Sequence, residues 1–137
     1  MIPTVQGEFG VVMEPELRFS DNGAAWLKVR GAAKDRVYNA ERKEWEDKGD
    51  PLYIDILISG KAAENLCESI AIGDSIVVTG KLHQREWEQD GVKRKDFQIR
   101  ATDVGVSVRF GTAATQRAGG KAKTVPAAAD QPVDAPF

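Results

Sequence analysis

Residues 76–100, IVVTGKLHQREWEQDGVKRKDFQIR, alternate apolar and polar positions on both sides of Asp90-Gly91. That dipeptide suits a two-residue turn, because both positions tolerate positive φ. With the turn there, Ile99 faces Leu82, Asp96 faces Arg85 and Arg94 faces Trp87. One face of the hairpin then carries Ile76, Val78, Leu82, Phe97 and Ile99, an apolar row suited to a core. The other carries Val77, Lys81, His83, Arg85 and Trp87, answered by Arg94, Asp96, Gln98 and Arg100. The apolar row stops at Leu82 and Phe97 while the strands run on, so this arm outruns its own core.

The remaining pattern predicts three strands and a helix before the hairpin. Residues 4–13 form the first strand, with Val5, Gly7, Phe9, Val11 and Met13 on one parity. Gly7 and Gly10 predict a bulge or sharp coiling, and Glu14-Pro15 ends the strand. After the Asp21-Asn22-Gly23 turn, residues 24–33 form the second strand, Leu27 and Val29 on one face, Trp26, Lys28 and Arg30 on the other. Residues 34–50 have no consistent period and mix five basic with six acidic side chains. They predict a long mobile loop, marked by Tyr38 and Trp45. In the third strand, residues 52–59, Leu52, Ile54, Ile56 and Ile58 point inward and Tyr53, Asp55, Leu57 and Ser59 outward. Residues 61–70 switch to a helical stripe of Ala63, Leu66, Cys67 and Ile70, and Gly73 ends the helix.

Three strands, one short helix and two further strands give an all-β class with the plan of a five-stranded OB-fold Greek-key barrel, whose sheet face and loops bind oligonucleotides or oligosaccharides. From Gly111 the chain turns Ala- and Gly-rich, nearly free of large apolar residues until Phe137. By composition this is a disordered tail. The expected organisation is a barrel domain over residues 1–110 and a tail over 111–137.

Composition narrows the function classes. Apolar and charged fractions of 42% and 29% are ordinary for a globular chain. The formal net charge of −2 makes any footprint for a polyanion local. The single cysteine, Cys67, rules out an intrachain disulfide and a cysteine-based zinc site, and fits a reducing compartment. No apolar run is long enough for a membrane span, and the N-terminus has neither signal nor transit character, so a cytoplasmic location is expected. His83 stands without a nucleophile pattern, the carboxylates are scattered, and the glycines make no P-loop. The expectation is a protein that is not an enzyme and needs no cofactor or metal.

The candidate chemistry lies on the outward faces. Trp87 sits among Arg85 and Arg94, and Lys81 opposes Arg100, a like-charge pair that is mildly destabilising unless an anion lies between. A flat aromatic flanked by guanidinium and ammonium groups is the chemistry of base stacking beside a phosphate track. Trp26 has two readings of equal weight: a stacking platform beside Lys28 and Arg30, or peripheral core folded over the barrel edge. Lys34, Arg36 and Tyr38 add cations and an aromatic from the loop. At the other end, Asp134, Pro136 and Phe137 combine an acid, a stiffening proline and a terminal aromatic carboxylate, a combination suited to capture by a protein partner. An OB-fold module for RNA or a replication protein, and a small saccharide-binding barrel, are the competing functions.

EPELRF at 14–19, NGAAW at 22–26, YIDILISGKAAENL at 53–66, GDSIVVTGKLHQREWEQDG at 73–91 and DAPF at 134–137 together resemble the bacterial-type single-stranded DNA-binding proteins of actinobacteria and their phages. The resemblance implies sequence-nonspecific binding and protection of single-stranded DNA in replication, recombination and repair, in the bacterial nucleoid or a phage-infected cell. It implies stacking aromatics at Tyr38, Tyr53 and Trp87, recruitment of replication and repair proteins by the terminal DAPF, and a homo-oligomer, usually a tetramer joined near the first strand. Ser59 stands where the family usually has another aromatic, Asp55 where it more often has a basic or neutral side chain, and Glu14 where it has aspartate. These departures imply weaker binding along the third strand, for which Trp26 could compensate.

Overall fold

The computed structural model describes residues 1–117. In chain order it contains β1 (Thr4–Val11), β2 (Glu16–Phe19), β3 (Ala25–Asn39), β4 (Glu44–Ser59), α1 (Lys61–Ser69), β5 (Ser75–Gln89) and β6 (Val92–Val106). The sheet runs β1-β5-β6-β4-β3-β2, and a further β1–β3 pairing closes it into a barrel. Only β4 and β6 pair in parallel; the other ladders are antiparallel. This is the OB-fold plan, with the four-residue β2 appended along β3. Closure occurs where Gly10 faces both Ser75 of β5 and Ala32 of β3. The glycines of β1 thus serve coiling, and the strand changes partner without a register slip.

The alternation read from the sequence fills the interior. Phe9, Val11, Leu27, Val29, Ile54, Ile56, Ile58, Ile76, Val78 and Ile99 are buried, and Ala63, Leu66 and Ile70 on and after α1 join them. Cys67 packs half-buried against this core. The helix lies between β4 and β5 in the chain and supplies its apolar stripe to the barrel, as the period change at residue 61 requires.

Three expectations need correction. Residues 34–50 are not a loop: β3 and β4 continue as a hairpin, with Tyr38 facing Trp45, Arg36 facing Asp47 and Asp35 facing Lys48. Its turn is fastened by Asn39, whose Oδ1 accepts hydrogen bonds from the amides of Glu41 and Arg42 at 3.0 and 3.2 Å. The arm has no core face, so its period-two pattern is carried by cross-strand charge pairs and an aromatic pair, which a hydrophobic period does not register. Leu52 and Phe97 have inward parity, yet both are 56% exposed. Parity decides the face of a strand but not whether anything covers it, and both residues lie where an arm leaves the barrel. Finally, the apolar half of the β5–β6 hairpin is out of the simple register: Thr79 faces Asp103 while Gly80 faces Ala101.

That slip is a bulge, and it depends on Gly80. A Cβ there would lie 2.4 Å from the Arg100 carbonyl oxygen and 2.7 Å from the Ala101 Cα. Those are backbone atoms, which have no rotamer by which to retreat. Thr102, the extra residue, donates its hydroxyl to the Thr79 carbonyl at 3.1 Å. The Asp90-Gly91 turn is as expected, with φ of 52° and 78°.

Gly80→Ala is expected to destabilise the domain by roughly 1–3 kcal/mol or more, as forced overpacking does. Gly105→Ala, on the same hairpin with no neighbour within 4 Å of the new methyl, should stay within about 0.5 kcal/mol. Urea unfolding of both variants tests this; equal stabilities would mean that the bulge relaxes freely.

Candidate functional site

The alternation that sends Leu27, Ile56 and Ile99 inward gathers the opposite parity on one outer face. Reading across the sheet, Arg18 of β2 faces Trp26, Trp26 faces Ser59, Lys28 faces Leu57, Arg30 faces Asp55, and Ala32 faces Tyr53. The parallel ladder sets Asp55 beside Gln98 and Leu57 beside Arg100. The long hairpin completes the row, with His83 facing Gln98, Lys81 facing Arg100, Arg85 facing Asp96 and Trp87 facing Arg94. Trp26, Lys28, Arg30, Tyr53, Lys81, Arg85, Trp87, Arg94 and Arg100 therefore share one continuous surface.

Each aromatic ring on this surface has a guanidinium beside it. Arg18 lies 5.8 Å from the Trp26 ring centroid, Arg30 5.9 Å from that of Tyr53, and Arg85 4.6 Å from that of Trp87. These are cation–π distances, and they leave ring faces and charged groups side by side. Tyr53 is 52% exposed. Trp26 is half-buried but lies on the outer face, lining cavities with Arg18, Lys28 and Leu57 on one side and Ser59, Arg100 and Ala101 on the other. Arg18 was not among the residues expected here. Its strand is too short to announce itself, and only the pairing with β3 brings it to Trp26.

At the centre of the face is a buried carboxylate. The Asp55 side chain is only 7% exposed, and its oxygens lie 3.2 Å from Arg30 and 3.9 Å from both Lys28 and Arg85. Arg85 is held more closely by Asp96, through contacts of 3.2 and 2.9 Å. That hydrogen bond raises the Arg85 guanidinium further above its ordinary range, so it stays charged. Asp55 and Gln98 are the only buried polar residues among those described. A carboxylate out of water must be compensated by charge and hydrogen bonds, and the three cations do this. Outward parity for Asp55 was legible in the sequence; its burial was not.

The β3–β4 arm forms a second patch. A register shift between Ala33 and Asp35 breaks the parity of β3. Beyond it Lys34 and Arg36 both reach Asp47, at 3.4 and 3.5 Å. Tyr38 packs on Trp45 with centroids 5.6 Å apart and planes tilted by 57°. Lys34, Arg36 and the 60% exposed Trp45 border a cavity of about 730 Å³ that also includes Phe9, Arg109 and Phe110. They are thus gathered with each other and not with Trp26 and Trp87. Asp134, Pro136 and Phe137 lie outside the described residues. Among those described, no group of three or more His, Cys, Asp and Glu side chains is placed to hold a metal ion. No described helix is long and apolar enough to cross a membrane.

Comparison with known proteins agrees with this geometry. The profile of the single-strand binding protein family matches residues 9–108. The chain is 41% identical over 108 residues to the single-stranded DNA-binding protein of Corynebacterium glutamicum, covering 78% of this chain and 48% of that protein. It is 37% identical over 114 residues to single-stranded DNA-binding protein 2 of Streptomyces coelicolor, covering 82% of this chain and 57% of that one. The chain thus spans about half the length of these curated relatives. Among solved structures, the small single-stranded DNA-binding protein from Streptomyces coelicolor superposes with a TM-score of 0.69 over 79% of this chain and 96% of that one. At 24% identity this likeness establishes the fold.

Proposed function

The chain belongs to the single-strand binding protein family, and we propose that it binds and protects single-stranded DNA without sequence preference. The observation that carries this is the outer sheet face, where Trp26, Tyr53 and Trp87 each lie beside an arginine. Bases stack on the rings, which accept any base because every base offers a π-face. Lys81, Arg94, Arg100 and the arginines beside the rings neutralise phosphates and release counterions, so affinity falls as salt rises. The overall charge of −2 does not oppose this, because Arg18, Lys28, Arg30, Lys81, Arg85, Arg94 and Arg100 outnumber the acids Glu16, Asp55 and Asp96 on this face. Lys34, Arg36 and Tyr38 extend the contact onto the second arm. The process served is replication, recombination and repair, and the mechanism needs no bond-making chemistry, cofactor or metal.

Titration of intrinsic tryptophan fluorescence with oligo(dT) at several salt concentrations tests the reading. Quenching with a negative salt slope is expected; no binding, or binding indifferent to salt, rejects it. Trp87→Ala is expected to lose roughly 1–3 kcal/mol of affinity with little change in Tm, since Trp87 stands on an arm beyond the core. Trp26→Ala should also weaken binding, in compensation for the missing aromatic at Ser59. A variant that melts many degrees lower but binds normally would make Trp26 a structural residue.

Residues 1–110 serve as the binding domain and 111–137 as a tail that recruits replication and repair proteins through Asp134, Pro136 and Phe137. The support is chemical: an acid and an aromatic ring, with a proline between them that limits the conformations to be ordered on docking. Deleting residues 130–137 should leave oligo(dT) affinity equal or slightly tighter, because two acids are removed, and abolish pull-down of a helicase, polymerase subunit or recombination mediator. Retention of those partners by the truncated protein would rule the tip out. Assembly as a homo-oligomer, a tetramer by family resemblance, is tested by its mass in solution against the 14.9 kDa protomer.

A further inference from the structure

The middle of the outer face holds an acid where a surface built for a polyanion gains most from a cation. Asp55 contacts Lys28, Arg30 and Arg85 at once and is nearly closed off from water. Arg85 is shared with Asp96, so this cluster sets three cations against two carboxylates and keeps one net positive charge. A cavity of about 340 Å³ opens on it, bordered by Arg18, Trp26, Lys28, Asp55, Arg85 and Gln98, and Arg18 is itself engaged by Glu16 at 2.9 Å. A phosphate entering that cavity meets cations already engaged and a fixed negative charge among them. In a poorly hydrated site that repulsion is less screened than on open surface. A base entering the same cavity meets no such opposition and finds the Trp26 ring as a wall.

The periphery differs. Arg94 and Arg100 make no ion pair among the described residues. Lys81 donates only to the neutral Thr4 hydroxyl, at 2.9 Å. Lys81 and Arg100 also stand directly opposite each other, an arrangement relieved by an anion between them.

We propose that Asp55 is an internal counter-anion that competes with the strand's phosphates for Lys28, Arg30 and Arg85. It thereby lowers affinity and salt dependence, and directs the phosphate track to Lys81, Arg94 and Arg100 while bases occupy the centre. The proposal rests on the single-strand binding described above. It also explains why the acid is buried: its partners close over it in the free protein, and removing it leaves three neighbouring cations less compensated. Asp55 therefore trades affinity for the order of the unbound face.

The test uses the full chain and Asp55→Asn, nearly isosteric and uncharged, titrated with oligo(dT) over a salt series beside a thermal melt. The variant should melt somewhat lower. At low salt it should bind roughly three- to fivefold tighter, the scale of one added ion pair. Its salt slope should steepen by about 0.7, the contribution of one further phosphate contact on a single strand. Asp55→Glu, which keeps the charge, should show neither gain. Unchanged or weaker binding by a folded Asp55→Asn, or an equal gain in both variants, overturns the proposal. Should Asp55→Asn melt below the assay temperature, Arg30→Gln and Arg94→Gln decide. The engaged Arg30 must account for less than half the salt slope carried by the free Arg94, and equal losses overturn the proposal. A wild-type chain that does not bind oligo(dT) rejects the single-strand reading itself, which separates that failure from this one.

Discussion

Closing a twisted sheet on itself gives every strand one face inside and one outside, and the rest of this molecule follows from that division. Within the barrel, parity assigns residues of β3, β4, β5 and β6 to a face, so Leu27, Ile56 and Ile99 make the core by the same rule that sets Lys28, Asp55 and Arg100 on the outer face. Closure requires places where backbones approach closely. At Gly80 the β5 backbone passes so near Arg100 and Ala101 that only a hydrogen side chain fits. The bulge there advances the register by one residue, which sets Val78 opposite Val104 and Ile76 opposite Val106, while Lys81 keeps the turn's register opposite Arg100.

Two arms extend beyond the interior that this closure creates. On the β5–β6 arm, Arg85 is clamped by Asp96 and lies against Trp87. On the β3–β4 arm, Tyr38 leans on Trp45 and Asp47 collects Lys34 and Arg36. Neither arm buries enough apolar surface to be held by the hydrophobic effect. Cross-strand pairs and the continuity of the ladder hold them instead. Exposed ion pairs of this kind contribute little each, so the arms are the part of the fold most able to adjust to a strand laid across it.

A net negative chain thus presents a basic working surface. The cations are not uniformly available, because the buried Asp55 engages those at the centre and leaves those at the rim free. Aromatic rings lie in the same middle region and at the arm tip, each beside a guanidinium. On the proposal that Asp55 acts as an internal counter-anion, the face divides into a centre for bases and a rim for phosphates.

Much of this was legible in the chain. Strong period-two runs with β-branched residues identified the barrel strands, the period change at residue 61 identified the helix, and Asp90-Gly91 specified a turn that set the outer register of the hairpin. These are local signals, carried by neighbours in sequence. The outward placement of Trp26, Tyr53 and Trp87 followed from the same alternation. What escaped depends on contacts made across strands rather than on a hydrophobic period along one. The β3–β4 arm has no buried face and so no hydrophobic period; its pattern exists only when Arg36 meets Asp47 and Tyr38 meets Trp45. Leu52 and Phe97 carry core parity, but coverage is a property of the assembled barrel, and among the described residues both stay 56% exposed. Arg18 reaches Trp26 only through strand pairing. The burial of Asp55 required β3, β4 and β5 to bring three cations together, because a carboxylate leaves water only when its compensation is supplied from elsewhere in the fold.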